Sequence, residues 1–179
     1  MDRFESQRIW VRRFAATDWR DLYAYLSLPA TYRFEPGEPI SEAEAQTLAA
    51  AREQDTAFWA VALKPGGPLI GHLYFSQSEP AEFLTWELGY IFNPAYHGQG
   101  YCTEACRLLL RHAFTTLHAH RVTAHCDPAN PASWRVLEKL GMRREGHFQR
   151  HAFFRRNAAG EPLWHDGLAY GLLAEEFSG

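Results

Sequence analysis

The 179-residue chain predicts a mixed α/β (α+β) fold, a central and mostly antiparallel sheet of roughly seven strands flanked by about four helices. Three observations lead there. Short segments of alternating polarity recur along the chain with Gly/Pro turns between them. Others carry apolar residues at spacings of three and four, or open on capping residues. Twice, over 86–105 and 121–142, a strand pattern runs through a loop directly into a helix.

Residues 9–14 (Ile-Trp-Val-Arg-Arg-Phe) read as a first strand, followed by a helix from about 18 to 28 whose Leu22, Tyr25 and Leu26 form an apolar stripe. Pro29 stops it. Pro36-Gly37-Glu38-Pro39 is a loop, and Ser41 with Glu44 forms a capping box that opens an alanine-rich helix to about Gln54. Residues 58–63 and 69–75, joined by 64–68, predict a hairpin, and the strand 83–92 extends it into a meander. Within that strand Trp86, Leu88, Tyr90 and Phe92 share one face, with Glu87, Gly89 and Ile91 on the other. The helix 100–117 places Cys102, Ala105, Leu109, Ala113, Phe114 and Leu117 toward the sheet. A strand from Arg121 then leads to a helix that ends at Gly141, and 143–154 and 163–173 are the last two strands.

No Ser/Gly linker, charge block or repeat divides the chain, so one domain over 1–179 is expected. A hydrophobic content of 46% with 15% aromatics argues against disorder. No apolar run approaches the roughly 20 residues of a membrane span, so a soluble protein without a membrane partner is expected. The net charge of -3, with Lys and Arg scattered, gives no field for nucleic acid. Met1 to Arg8 carry no apolar signal core, and three cysteines make no disulfide framework; both favour the cytoplasm. Nine histidines and those cysteines show no ligand spacing, so no metal is expected.

The chemistry concentrates at Asn93-Pro-Ala-Tyr-His-Gly98-Gln-Gly100-Tyr-Cys-Thr103. Gly98 and Gly100 let bare backbone approach a ligand, and the first turn of the following helix has amides without intrahelical partners, at the positive end of its dipole. Alone, this fits either a phosphate site or an ordinary strand-to-helix turn. The second segment, Asn130-Pro-Ala-Ser133 through Leu140-Gly141-Met142, completes a pair that resembles the two core motifs of the GCN5-related N-acetyltransferase (GNAT) family. Within it the chain is similar to the branch that acetylates ribosomal-protein N-termini (RimJ/RimL-like). The resemblance runs from Ile9–Phe14 to Asp166–Tyr170.

That resemblance implies acetyl-coenzyme A as co-substrate, its pyrophosphate on the backbone of Gly98, Gln99, Gly100, Tyr101, Cys102 and Thr103, and its pantetheine arm along Ile91 and Phe92. It implies transfer of acetyl to a primary amine, a protein N-terminus or a small molecule, by direct attack in a ternary complex. Asn130 either holds the pantetheine arm or caps a helix. Ser133 matches the branch's serine near the sulfur, where it would assist the leaving thiolate, or it serves as a cap. Attack by an amine needs a base, and Glu87, about 13 Å upstream of Ile91 at roughly 3.3 Å per residue, is the candidate. Partial burial would raise its pKa; the alternative is a carboxylate facing solvent or an arginine. Glu104 is read as satisfying local backbone and the helix dipole.

Three positions depart from the family pattern: Leu137 where a tyrosine is common, Ala95 where the loop usually begins with Gln or Arg, and Met142 in place of phenylalanine. A non-catalytic acyl-coenzyme A binding module would need neither Glu87 nor Ser133. A nucleotide-binding loop would need a third glycine where Thr103 stands, or a lysine after the glycines. Tyr32, Phe34, Trp59, Tyr74 and Phe153 either line an acceptor wall or belong to the core, and aromatics around Trp10, Phe153 and Trp164 suggest a homodimer.

Overall fold

The computed structural model describes residues 3–179; Met1 and Asp2, the start of the segment read for a targeting signal, lie outside the described residues. Eight strands and four α-helices follow one another: β1 Arg3–Glu5, β2 Ile9–Arg12, α1 Trp19–Leu26, α2 Glu42–Gln54, β3 Phe58–Leu63, β4 Leu69–Gln77, β5 Thr85–Phe92, α3 Tyr101–Thr115, β6 Arg121–Cys126, α4 Pro131–Lys139, β7 Arg143–Arg156 and β8 Pro162–Leu173. The strands form one sheet in the order β1-β2-β3-β4-β5-β6-β8-β7.

Every neighbouring pair is antiparallel except β5 and β6, which α3 joins by a crossover. That parallel ladder is short. Its rungs are Thr85↔Arg121, Trp86↔Val122 and Glu87↔Thr123, and none follows. Beyond Glu87, β5 stays paired to β4 as far as Phe92, and beyond Thr123, β6 stays paired to β8 as far as Cys126. Each strand is thus held from its outer side while the inner edges part, leaving backbone groups between them that a ligand can satisfy.

The sheet's period of two sorts its residues onto two cores. On one face Val61, Leu73, Leu88 and Val122 pack with Leu109, Leu110 and Ala113 of α3 and Leu137 of α4. On the other, Phe14, Ala60 and Leu69 pack with Leu22, Tyr25 and Leu26 of α1 and Ala49 of α2. The α3 stripe is turned slightly from expectation: Cys106 and Leu110 are fully buried alongside Ala105, Leu109 and Ala113. The α2 capping box forms, with the Glu44 amide donating to Ser41 Oγ at 3.3 Å and the Ser41 amide donating to Glu44 Oε2 at 2.7 Å.

Beyond shifts of a few residues at the ends of several elements, three features differ from the sequence expectation. The strand β1 was not anticipated; it pairs with β2 through Phe4↔Val11. The fifth strand starts at Thr85 rather than 83, because Ala81–Phe83 forms a 3-10 turn closed by Leu84 at φ 49°. The first helix is confined to Trp19–Leu26, since Pro29–Tyr32 makes a separate 3-10 turn. Among the described residues no helix is long and apolar enough to cross a membrane. Among the described residues no group of three or more His, Cys, Asp or Glu side chains is arranged to hold a metal ion.

Candidate active site

A cavity of about 510 Å³ lies where β5 ends, walled by Tyr90, Ile91 and Phe92, the glycine loop, the start of α3, one face of α4 and residues 30–35. Its loop end is made of backbone. Gly98 at φ 75° and Gly100 at φ 83° occupy the left-handed region, which L-residues adopt only under strain. No amide from Gly98 to Thr103 has a hydrogen-bond acceptor among the described residues. These amides sit at the N-terminus of the fifteen-residue α3, whose dipole adds partial positive charge. A pyrophosphate fits such a cradle, with Arg135 and Lys139 of α4 adding charge to the wall.

The loop is tied to the start of the chain. Arg8 donates to the Gln99 carbonyl at 3.1 Å and to Glu104 Oε2 from Nε at 2.8 Å, and its guanidinium lies over the Tyr101 ring, 4.5 Å from the centroid. Ser6 also bonds Glu104. Glu104 therefore serves Ser6 and Arg8 rather than only its own helix terminus, which corrects the sequence reading. Ahead of the loop, His97 Nε2 donates to the Phe92 carbonyl at 2.9 Å, and the Ala95 amide is taken by Asn93 Oδ1 at 3.0 Å.

Of the residues singled out in the sequence, Ile91, Phe92, Gly98, Gly100, Tyr101, Cys102, Thr103, Asn130 and Ser133 all line this cavity, whereas Gln99 and Glu87 do not. Asn130 is the N-cap of α4, its Oδ1 accepting from the Ser133 amide at 3.3 Å, with Pro131 at the first helical position. Capping and cavity lining coincide in this one side chain. Ser133 is not the cap; its hydroxyl faces Tyr90.

Tyr90 was not read as a site residue. Its hydroxyl lies 3.0 Å from both the carbonyl oxygen and Oγ of Ser133. The carbonyl only accepts, while either hydroxyl of the pair can donate to the other, so when Tyr90 directs its single proton to Ser133 Oγ the Ser133 hydroxyl proton is free to point into the cavity. Burial pushes the Tyr90 phenol far above its ordinary pKa, so it stays protonated. The Cys126 thiol is pushed up to about 11, chiefly by burial. Leu137 cannot supply a hydroxyl to this site, but Tyr90 brings one from the strand.

Glu87 departs from expectation. It occupies the last rung of the parallel ladder, half exposed, with His125 Nδ1 at 3.5 Å from its carboxylate. Hydrogen bonding to His125 outweighs the desolvation and lowers its pKa rather than raising it. The carboxyl that burial does raise is Glu35, on the loop between α1 and α2, pushed up to about 7. It lines the cavity and was not anticipated. Of the proposed acceptor wall, Phe34 lines the cavity. Tyr32 and Trp59 are buried in the two cores, Tyr74 packs on Phe58, and Phe153 packs on Trp164 at the surface.

The sequence profile of the acetyltransferase (GNAT) domain matches residues 8–143, which contain the glycine loop and α4. The chain is 33% identical over 174 residues to an uncharacterized N-acetyltransferase, YnaD, of Bacillus subtilis, covering 97% of this chain and 98% of that one. It is 33% identical over 79 residues to the [ribosomal protein uS5]-alanine N-acetyltransferase of Escherichia coli, 44% of this chain and 41% of that one. A crystal structure of a GNAT-family acetyltransferase from Bacillus anthracis superimposes with a TM-score of 0.87 at 30% identity, over 97% of this chain and 99% of that one. A parted β5–β6 edge, a backbone cradle and these likenesses converge: the chain belongs to the GNAT family of acyl-coenzyme A-dependent acetyltransferases.

Proposed function

We propose that this protein is a single-domain enzyme, spanning 1–179, that moves acetyl from acetyl-coenzyme A to a primary amine by direct attack in a ternary complex. The acceptor is a protein N-terminal α-amine or a small-molecule amine. One observation carries the reading: the unpaired amides of Gly98 and of Gly100 to Thr103 line the same cavity as the Tyr90–Ser133 pair. A phosphate anchor and a hydroxyl pair are thus joined by the free edge of β5, along which a pantetheine arm finds backbone partners.

The residues divide the work by chemistry. The loop amides bind the pyrophosphate, while Ile91, Phe92 and Asn130 fix the arm. The thioester then meets Ser133, whose hydroxyl, backed by Tyr90, donates toward the departing sulfur. Glu87, ionised throughout the neutral range, contributes an attractive charge for a cationic acceptor; a carboxylate held below its usual pKa is a weaker base. A peptide acceptor agrees with the partial likeness to the uS5-alanine enzyme. A cytoplasmic location and a homodimer belong to the same proposal, the latter supported by exposed Phe148, Leu163 and Trp164 on the β7–β8 hairpin.

Titration calorimetry with acetyl-coenzyme A, and with 3′-dephospho-coenzyme A as control, tests the donor. Micromolar binding of acetyl-coenzyme A supports the reading, and thiol release with peptides and small amines then identifies the acceptor class. A folded protein that binds neither compound overturns it.

A further inference from the structure

The cavity that holds Tyr90 and Ser133 has one carboxylate in its lining, Glu35. Its loop is fixed to the body of the protein. The Ile40 amide donates to the Leu26 carbonyl at 3.0 Å and closes the loop at its base, Tyr32 is buried beneath it, and Arg155 of β7 donates to the Tyr32 carbonyl. Gly37, at φ 100°, lies so close to the Tyr32 ring that a Cβ there would meet it at 3.2 Å. Glu35 is therefore presented from a held segment, and its carboxylate has no hydrogen-bond or ion-pair partner among the described residues.

Resting on the acetyl-transfer reading above, we infer that Glu35 is the general base of the reaction, accepting the proton of the acceptor's ammonium group inside the cavity. Glu87 lies outside the cavity lining and is committed to His125, whereas Glu35 shares the cavity with the hydroxyl pair. The charge on Glu35 also reaches Cys126, the last residue of β6. Other titratable or charged groups in the lining are Arg33 of its own loop, Tyr90 of β5, Tyr96 and His97 after β5, Tyr101 and Cys102 of α3, and Arg135 and Lys139 of α4. None of them forms an ion pair with Glu35. Burial without a partner leaves this carboxyl titrating near neutrality, where a base is both ionised and strong enough to work.

The step balances. An ammonium N–H bond breaks and its proton passes to Glu35; the freed lone pair forms the C–N bond to the thioester carbon as the carbonyl π pair moves to oxygen. That pair returns, the C–S bond breaks, and the thiolate takes the second nitrogen proton by way of Ser133. Glu35 then releases its proton to water, so ammonium and thioester become amide, thiol and one proton.

Two measurements test this. In protein labelled with carboxyl-¹³C glutamate, the resonance absent from Glu35→Gln should titrate near neutral pH. With an alanyl peptide bearing a free N-terminus, Glu35→Gln should lower kcat by about 10²–10⁴ and abolish the rise in rate with pH. Glu35→Asp should keep that rise at a reduced rate, and Glu87→Gln should keep it too, while acetyl-coenzyme A affinity of Glu35→Gln stays within about twofold. A Glu35 resonance titrating in the ordinary carboxylate range, or a Glu35→Gln rate within threefold of the parent, overturns the assignment. Folded parent protein that fails to bind acetyl-coenzyme A overturns the transfer reading and the base together; binding with an ordinary Glu35 titration overturns the base alone.

Discussion

The two ends of the cavity are built by different means. At the glycine loop, Gly98, Gly100, Tyr101, Cys102 and Thr103 line the cavity, and their backbone amides have no hydrogen-bond acceptor among the described residues. At the opposite wall, Phe34 and Glu35 present side chains from a loop that is fastened by Arg155, 123 residues further along the chain from Tyr32. A site made of backbone survives substitution, which is why Ala95 leaves the cradle intact; its own amide is already satisfied by Asn93. A site made of side chains changes with each residue, so on the acetyl-transfer reading the donor end stays constant in chemistry while the acceptor end is free to vary.

The largest effect that would break this comparison is at the backbone-made end. Gly100→Val places a β-branched residue at φ 83° and should raise the Kd for acetyl-coenzyme A about 100-fold, the ~2.7 kcal/mol of strain and lost phosphate hydrogen bonds, by calorimetry. Unchanged affinity would mean that side chains, not amides, hold the phosphates. Next comes the middle of the cavity. Ser133→Ala and Tyr90→Phe should each lower kcat about tenfold with little change in Kd, and the double variant should fall scarcely further, because the two hydroxyls act as a unit. Fully additive losses in the steady-state rates would separate them. Arg8→Ala removes the tie on the loop and should raise the Kd for acetyl-coenzyme A only about threefold to tenfold, since the pair is partly exposed.

The smallest effect concerns stability at the side-chain end. Burial raises the folded-state pKa of Glu35 to about 7 from an ordinary 4.5, so below pH 4.5 it is protonated in both states and costs nothing. As pH climbs from 4.5 through 7 the unfolded chain binds fewer protons than the folded one, and stability falls. Glu35→Gln should therefore match the parent at pH 4.5 and melt about 2–4 °C higher at pH 8, read by thermal denaturation. Equal melting at both pH values would show that Glu35 is well solvated.

How far the sequence revealed the molecule follows the same division. Alternation located β5 and the faces of its residues, and Gly98 and Gly100 located the cradle, because both are local properties. The strand β1 escaped notice since Arg3-Phe4-Glu5 is too short to establish a period and two of its three residues are charged. Tyr90 was assigned correctly to the aromatic face, yet that face is also where α4 packs, and no pattern in one strand tells that a hydroxyl will reach Ser133, 43 residues away. Glu87 was misjudged in its titration because its partner, His125, arrives from β6 across the sheet. Glu35 had no local signal at all; it stands beside a recognised Pro-Gly loop, and only the closing of that loop over the cavity desolvates it.

The contact of Ser6 and Arg8 with Glu104 and Gln99 has a practical side. Through it, the segment 6–8 and the glycine loop form one mechanical piece, with β1 pinned to β2 just ahead of the tie. On the acetyl-transfer reading, an extension fused ahead of β1 loads the loop proposed to hold the coenzyme, so an affinity tag belongs at the C-terminus when coenzyme affinity is to be measured.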